Sequence, residues 1–172
     1  MQPHKKLVRV GFLFNPNRVT FVDRPGGTST TATTINTVSS APQLSASPGR
    51  IDPTNAAFNT SRKPLVGEFQ FNGQPVFVIA NHFNSKGGDE PLYGPNQPPV
   101  LTSETQRRQQ AQIVNNFVDR ILAVDANANV IVAGDFNDFQ LSEPLNIVRG
   151  IPGGPGTAVL QNLIETLPEN ER

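Results

Sequence analysis

The chain has no cysteine and no net charge, and only two histidines, His4 and His82, in 172 residues. Without cysteine there are no disulfides and no thiol chemistry, and the compartment is left open. Lys and Arg together number 14, as do Asp and Glu, so no global basic field advertises a polyanionic partner. A local cluster can still supply phosphate contacts. No apolar run approaches the ~20 residues that a membrane span requires. What remains is enough chain for one domain with a real core.

Among the residues present, Val130-Ile-Val-Ala-Gly-Asp-Phe-Asn-Asp138 is an apolar run that ends abruptly in two carboxylates and an amide. Four consecutive apolar residues read as a strand covered on both faces. Gly134 then lets the backbone turn or approach another group closely. Ligand sites in α/β folds tend to lie outside the carboxyl ends of strands, which makes Asp135, Asn137 and Asp138 candidates. The same letters also spell an Asp-x-Asn turn whose side chains bond their own backbone.

Leu7 to Phe14 and Arg18 to Arg24 read as paired strands joined by an Asn15-Pro16-Asn17 turn. A Thr-, Ser- and Gly-rich stretch at about 26–48 reads as a long surface loop with a weak hairpin around Thr33 to Val38. Pro64 to Phe71 and Pro75 to Asn81 flank Asn72-Gly73, a hairpin signal because both residues tolerate positive φ. The second of these strands again runs from apolar to polar, into Asn81-His-Phe-Asn-Ser-Lys86. Pro91, Pro95, Pro98 and Pro99 make Gly87 to Val100 irregular. Ser103 with Gln106 forms a capping-box pattern, and Ala111, Val114, Val118, Ile121 and Leu122 share one face of a helix from about 103 to 124. Residues 75–136 therefore read as a βαβ-like unit, with both strands ending on one side if they are parallel. Ser142 to Val148 reads as a short helix, Gly150 to Gly156 as a loop, and Val159 to Leu167 as helix or strand.

Both strand ends present groups suited to phosphate and metal chemistry. A hard cation such as Mg²⁺ keeps several waters, so one or two carboxylates suffice, and Asp135 fits that role or that of orienting a water. Asn137 points to the same side and can bond a phosphate oxygen or the nucleophile. His82 can donate to a scissile phosphate or act as general acid. Lys86 and Arg62 can neutralise phosphate oxygens. Each has a plainer alternative. A lone strand-end histidine is more often a structural hydrogen-bonding group, and Lys86 a solvated loop charge. Arg107 and Arg108, with Gln109, Gln110 and Gln112, read as the wet face of the helix. Asp89 and Glu90 read as ordinary loop polarity, with a calcium- or phosphate-contacting loop as the alternative. Tyr93 packs the loop down or stacks on a base, and Asp138 supports the site or forms a turn.

Taken together, these stretches resemble the endonuclease/exonuclease/phosphatase superfamily and, within it, the deoxyribonuclease-I-like bacterial extracellular nucleases. The resemblance is carried by Arg50-Ile-Asp-Pro53, Arg62-Lys-Pro-Leu-Val-Gly-Glu-Phe69, Ala80-Asn-His-Phe-Asn-Ser-Lys-Gly-Gly-Asp89, Gln97-Pro-Pro99, Ser103-Glu104 and the Gly134-to-Asp138 motif, over about Val8 to Leu145. It implies an α/β fold, a portion of a four-layer α/β/β/α sandwich. It also implies hydrolysis of DNA or RNA phosphodiesters dependent on Mg²⁺, or on Ca²⁺ or Mn²⁺, by a secreted protein that does not enter the membrane. By that resemblance Asp135 matches the acid that orients or activates water and is the candidate metal ligand. Asn137 matches its partner on the transition state, and His82 the histidine beside the scissile phosphate. Arg62 matches a phosphate-contacting arginine, and Asn84 and Lys86 are further substrate-binding candidates. A phosphatase of small phosphoesters or lipid headgroups, or a non-catalytic binding module on the same fold, are the alternatives.

The chain departs from the superfamily's pattern as well. Its metal-binding glutamate and a companion asparagine come from strands before anything corresponding to Val8, and its second essential histidine belongs to a late Asp-His pair that His4 cannot supply. The expectation is a single partial domain over 1–172 that cleaves DNA poorly in isolation, because losing members of a cooperating set costs orders of magnitude. An exposed apolar sheet face or edge open to self-association is also expected.

Overall fold

The computed structural model describes residues 9–151 and 160–171. In chain order they form β1 (Thr20–Val22), β2 (Ile35–Val38), β3 (Ala41–Leu44), β4 (Gly49–Arg50), β5 (Leu65–Phe71), β6 (Gln74–His82), α1 (Thr102–Val124), β7 (Asn129–Asp135) and α2 (Glu143–Arg149). Short 3-10 turns lie at Ala56–Phe58, Leu163–Thr166 and Glu169–Glu171.

Asn72 and Gly73, at φ of 49° and 75°, turn β5 directly into β6, as that dipeptide predicts. β7 returns from α1 to lie parallel to β6. β1 and β4 both pair with the far side of β5, giving a mixed five-stranded sheet in an α/β fold. Alternation along the strands decides the faces. Val66, Phe77 and Ile79 point into a core completed by Ala111, Val114, Phe117, Val118 and Ile121 of α1 and Val148 of α2. Each fully buried large side chain there contributes about 1.5–3 kcal/mol. On the opposite face Phe69 gathers the rings of Phe12, Phe14 and Phe21 at centroid separations of 5.2–5.5 Å.

Several sequence expectations are corrected. No strand forms over the described part of Leu7 to Phe14; Leu7 and Val8 lie outside the described residues. Phe12 and Phe14 pack as side chains on Phe69 rather than joining a ladder, and only Thr20–Val22 of the second segment pairs. The 26–48 stretch holds a true hairpin, β2–β3, turning at Ser39 and Ser40 with φ of 50° and 64°. The end of the stretch is not a surface loop either: Leu44, the last residue of β3, and Ser47 just after it are fully buried.

β7 is not covered on both faces. Among the described residues it is an edge strand, and its residues alternate between half-buried and exposed, with Ile131 51% exposed. Val130 and Val132 pack against the core, while Ile131 and Ala133 lie on the sheet's other face. An apolar run cannot distinguish a central strand from an edge strand that lacks a neighbour. Of the last elements, 152–159 lie outside the described residues, and Leu163–Thr166 is a 3-10 turn.

Ser103 and Gln106 do not form a capping box. Asp89 caps α1 from the preceding loop, accepting from the Ser103 N–H at 2.7 Å and its hydroxyl at 2.6 Å. Gln106 reaches away to the Ala57 carbonyl and Thr60. Further along α1, Asn115 is 1% exposed and neither of its amide atoms has a hydrogen-bond partner. Replacing it with leucine removes that unmet polarity at similar volume. Asn115→Leu is therefore expected to stabilise the fold by about 1–3 kcal/mol, read as a higher urea midpoint. A lower midpoint would show that the amide is satisfied in solution.

Candidate active site

The register of the parallel pair is what builds the site. It sets His82, the last residue of β6, directly opposite Asp135, the last of β7. Phe77, Ile79 and Asn81 face the helices, so His82 emerges on the other face of the sheet, and Asp135 with it. His82 Nε2 lies 3.5 Å from Asp135 Oδ2, with the imidazole 26% and the carboxylate 60% exposed. One further rung, the Phe83 N–H to the Asp135 carbonyl at 2.9 Å, extends the ladder past the pair.

Gly134 is what lets the two strands come so close. Its φ is 131°, and a Cβ there would sit 2.0 Å from the Asn81 carbonyl oxygen. After Asp135 the chain makes the Asx turn that the sequence allowed: the Asn137 N–H donates to Asp135 Oδ1 at 2.9 Å, with Asn137 at φ 50°. Turn and site coincide here. The Asn137 side chain donates back to the Phe83 carbonyl at 3.0 Å, and Arg62 Nη2 donates to the same oxygen at 3.1 Å. That one carbonyl thus gathers Asn137 and Arg62 beside His82. Beneath the turn, Phe83 and Phe136 pack edge to face at 5.2 Å.

Burial lowers the His82 pKa below its usual 6.5, the neighbouring Arg62 cation lowers it further, and Asp135 works in the opposite direction. The imidazole is therefore neutral at pH 7. Because the folded state binds this proton more weakly than the unfolded chain, the His82 contribution to stability is complete above pH 6.5. It is lost as pH falls through the depressed folded value. An NMR titration of His82 should move up in Arg62→Gln and further down in Asp135→Asn. Movement in the reverse directions would contradict the placement of these two charges.

Of the other sequence candidates, Asn84 is held through its backbone N–H, which donates to Gln110 Oε1 at 2.8 Å. Lys86 is an exposed loop charge, as the plainer reading had it, but a paired one: its Nζ is 2.9 Å from Asp138 Oδ1 and 4.0 Å from the centroid of the Phe139 ring. Tyr93 does not pack its loop down, being 99% exposed. Glu90 ties that loop instead, accepting from the Val100 N–H at 2.8 Å and Asn96 Nδ2 at 2.7 Å.

Sequence reasoning missed the group that anchors the turn. Arg107 and Gln110 are not on a wet face; they are 1% and 0% exposed. Arg107 Nε donates to Asp138 Oδ2 at 2.9 Å, its Nη2 lies 3.5 Å from Asp89 Oδ2, and its Nη1 bonds the Ser103 hydroxyl. Arg108, exposed and paired with Glu104, and Gln109, also exposed, fit the expectation, while Gln112 is half-buried. The signal was in the helix spacing: Ser103, Arg107 and Gln110 continue the stripe of Ala111, Val114, Val118 and Ile121.

With the carboxylates of Asp138 and Asp89 engaged by these cations, Asp135 is the exposed carboxylate at the strand ends. Among the described residues no group of three or more His, Asp or Glu is gathered to hold a metal. No helix among them is long and apolar enough to cross a membrane.

An imidazole–carboxylate pair flanked by an amide and a guanidinium, at the carboxyl ends of adjacent parallel strands, suits attack on a phosphoester. A family model described as Endonuclease/Exonuclease/phosphatase family matches residues 36–150, which include every one of these groups. The chain belongs to that family, whose reactions are hydrolyses of phosphoester bonds. Comparison with curated proteins and with solved structures returns no match.

Proposed function

We propose that the chain is the catalytic framework of a metal-dependent nuclease, hydrolysing phosphodiesters of DNA or RNA outside the cell. The observation that supports this best is the register pairing of His82 with Asp135 and the return of Asn137 to the Phe83 carbonyl. In this reading Asp135 orients the attacking water and His82, neutral at pH 7, donates a hydrogen bond to the scissile phosphate. Asn137 Nδ2 has a second hydrogen left for a non-bridging oxygen. Arg62 and Lys86 attract flanking phosphates, and Asn84 offers its side-chain amide to the same strand. Mg²⁺ would be held by Asp135 together with water and substrate oxygens, since one carboxylate suffices for that ion and no protein cage is present among the described residues. The ion would supply charge neutralisation at the phosphoryl group.

The test is a single-turnover assay with protein in excess, in Mg²⁺, on an oligodeoxynucleotide, an oligoribonucleotide and a small phosphomonoester. Excess protein keeps slow cleavage visible. Cleavage of a nucleic acid that falls about 10²–10⁴-fold in both His82→Ala and Asp135→Asn supports the reading. Turnover of the phosphomonoester alone would make the protein a phosphatase. Binding without any turnover would make it a non-catalytic module.

A further inference from the structure

Phe139 is 65% exposed, two residues beyond Asn137, yet it is not loosely placed. Its N–H donates to Asp138 Oδ1 at 3.0 Å, and its carbonyl accepts the Ser142 N–H at 3.0 Å. The Lys86 ammonium stands 4.0 Å from the ring centroid and is itself fixed by Asp138 at 2.9 Å. Asp138 is in turn held by buried Arg107. The backbone of Phe139 is therefore fixed, and its ring carries the Lys86 cation at one face with most of its surface free.

We propose that Phe139 with Lys86 forms a nucleotide subsite beside the scissile phosphate. The ring stacks on a nucleobase, and Lys86 meets the phosphate of the same strand. The inference rests on the nuclease reading of the site and deepens it, because an exposed aromatic face beside a cation suits a substrate that carries both a base and a phosphate. Lys86 has three ammonium hydrogens, and Asp138 engages one of its faces, so phosphate contact does not require breaking that pair. Stacking of a base on an aromatic side chain tolerates any sequence. A small phosphomonoester or a lipid headgroup offers nothing to stack.

The chain contains no tryptophan, so Phe139→Trp introduces its sole indole at this position. The ligands are a non-cleavable phosphorothioate oligonucleotide and an abasic sugar–phosphate chain of equal length and backbone, both in Mg²⁺. The oligonucleotide should quench the indole and the abasic chain should not. Phe139→Ala should weaken oligonucleotide binding by about 5- to 150-fold, the span of measured base–aromatic stacking, and leave the abasic chain unaffected. Phe139→Leu, which keeps apolar bulk without a π face, should behave like the alanine variant. An exposed position makes loss of folding unexpected, and Phe71→Trp, at the 41% exposed far end of the sheet, provides an unquenched control. If both ligands bind alike, without quenching and without effect of Phe139→Ala, stacking is overturned while the nuclease reading stands. If neither ligand binds, the nuclease reading fails and this subsite with it.

Discussion

Arg107→Met is expected to destabilise the protein by about 3–5 kcal/mol, the cost of breaking a buried ion pair by removing one partner. The change keeps the length and apolar stem of the side chain, so the loss comes from charge and hydrogen bonds. It strands Asp89 and Asp138, whose carboxylates are only 7% and 5% exposed. Lys86 remains to Asp138 at 2.9 Å, but Asp89 keeps only the Ser103 contacts. Arg107→Lys should recover part of the stability and not all of it, because a point charge cannot reach three partners as the guanidinium fork does.

The acid limb of stability offers a second readout of the same network. Burial pushes the pKa values of Asp89 and Asp138 up, but the hydrogen bonds and charge around them outweigh it. These come from Ser103 and Arg107 for Asp89, and from Lys86, Arg107 and the Phe139 N–H for Asp138; both pKa values end below the ordinary 3.8. The stabilisation is complete above that ordinary value and is lost as pH falls through the depressed folded values. Urea midpoints of the parent should thus fall on acidification below about pH 4, and Arg107→Met should flatten that fall. A change under 1 kcal/mol at pH 7, with an unaltered acid limb, would mean that the cluster is fully solvated.

Much of this architecture can be read from local chemistry, and what cannot be read is mostly set by distant partners. Asn72-Gly73 specifies its turn through residues that accept positive φ, and α1 announces itself by the spacing of Ala111, Val114, Val118 and Ile121. His82, Asp135 and Asn137 were legible because each follows an apolar run, and the parallel register then brings them together. Arg107 was not, since a charged residue at a helix start defaults to solvent unless something covers it. The cover comes from Asp89, before the helix, and Asp138, after the next strand. Neither carboxylate advertises a buried partner in its own neighbourhood. β7 misled in the opposite sense: Val130 to Ala133 carries the composition of a central strand while only one of its edges is paired among the described residues. Periodicity reports what a side chain can face, and topology decides what is there to be faced.

Gly134→Ala should be about as damaging, by a different cause. At φ 131° an L-residue is strained, which costs roughly 1–3 kcal/mol. The added Cβ would lie 2.0 Å from the Asn81 carbonyl oxygen and 2.8 Å from Asn81 C and N. These are backbone atoms in a strand ladder, so no side chain can rotate out of the way and β6 and β7 must separate locally. Overpacking of that kind adds roughly 1–3 kcal/mol, for a combined loss of about 2–6 kcal/mol against the 5–15 kcal/mol of a typical domain. Gly73→Ala separates the two causes. At φ 75° it carries the backbone strain with no atom within 4 Å of its Cβ, so it should cost about 1–2 kcal/mol. The position of the Gly134 clash matters as much as its size. Asn81–Gly134 is the rung next to His82–Asp135, so any separation is passed directly to the imidazole–carboxylate pair. Variant protein that remains folded at low temperature should therefore show a displaced His82 resonance and about a 10²-fold loss of phosphoester hydrolysis, the penalty that a misplacement near 1 Å can carry. A variant with parental stability and an unshifted His82 would mean that the two strand ends are not held together by that glycine.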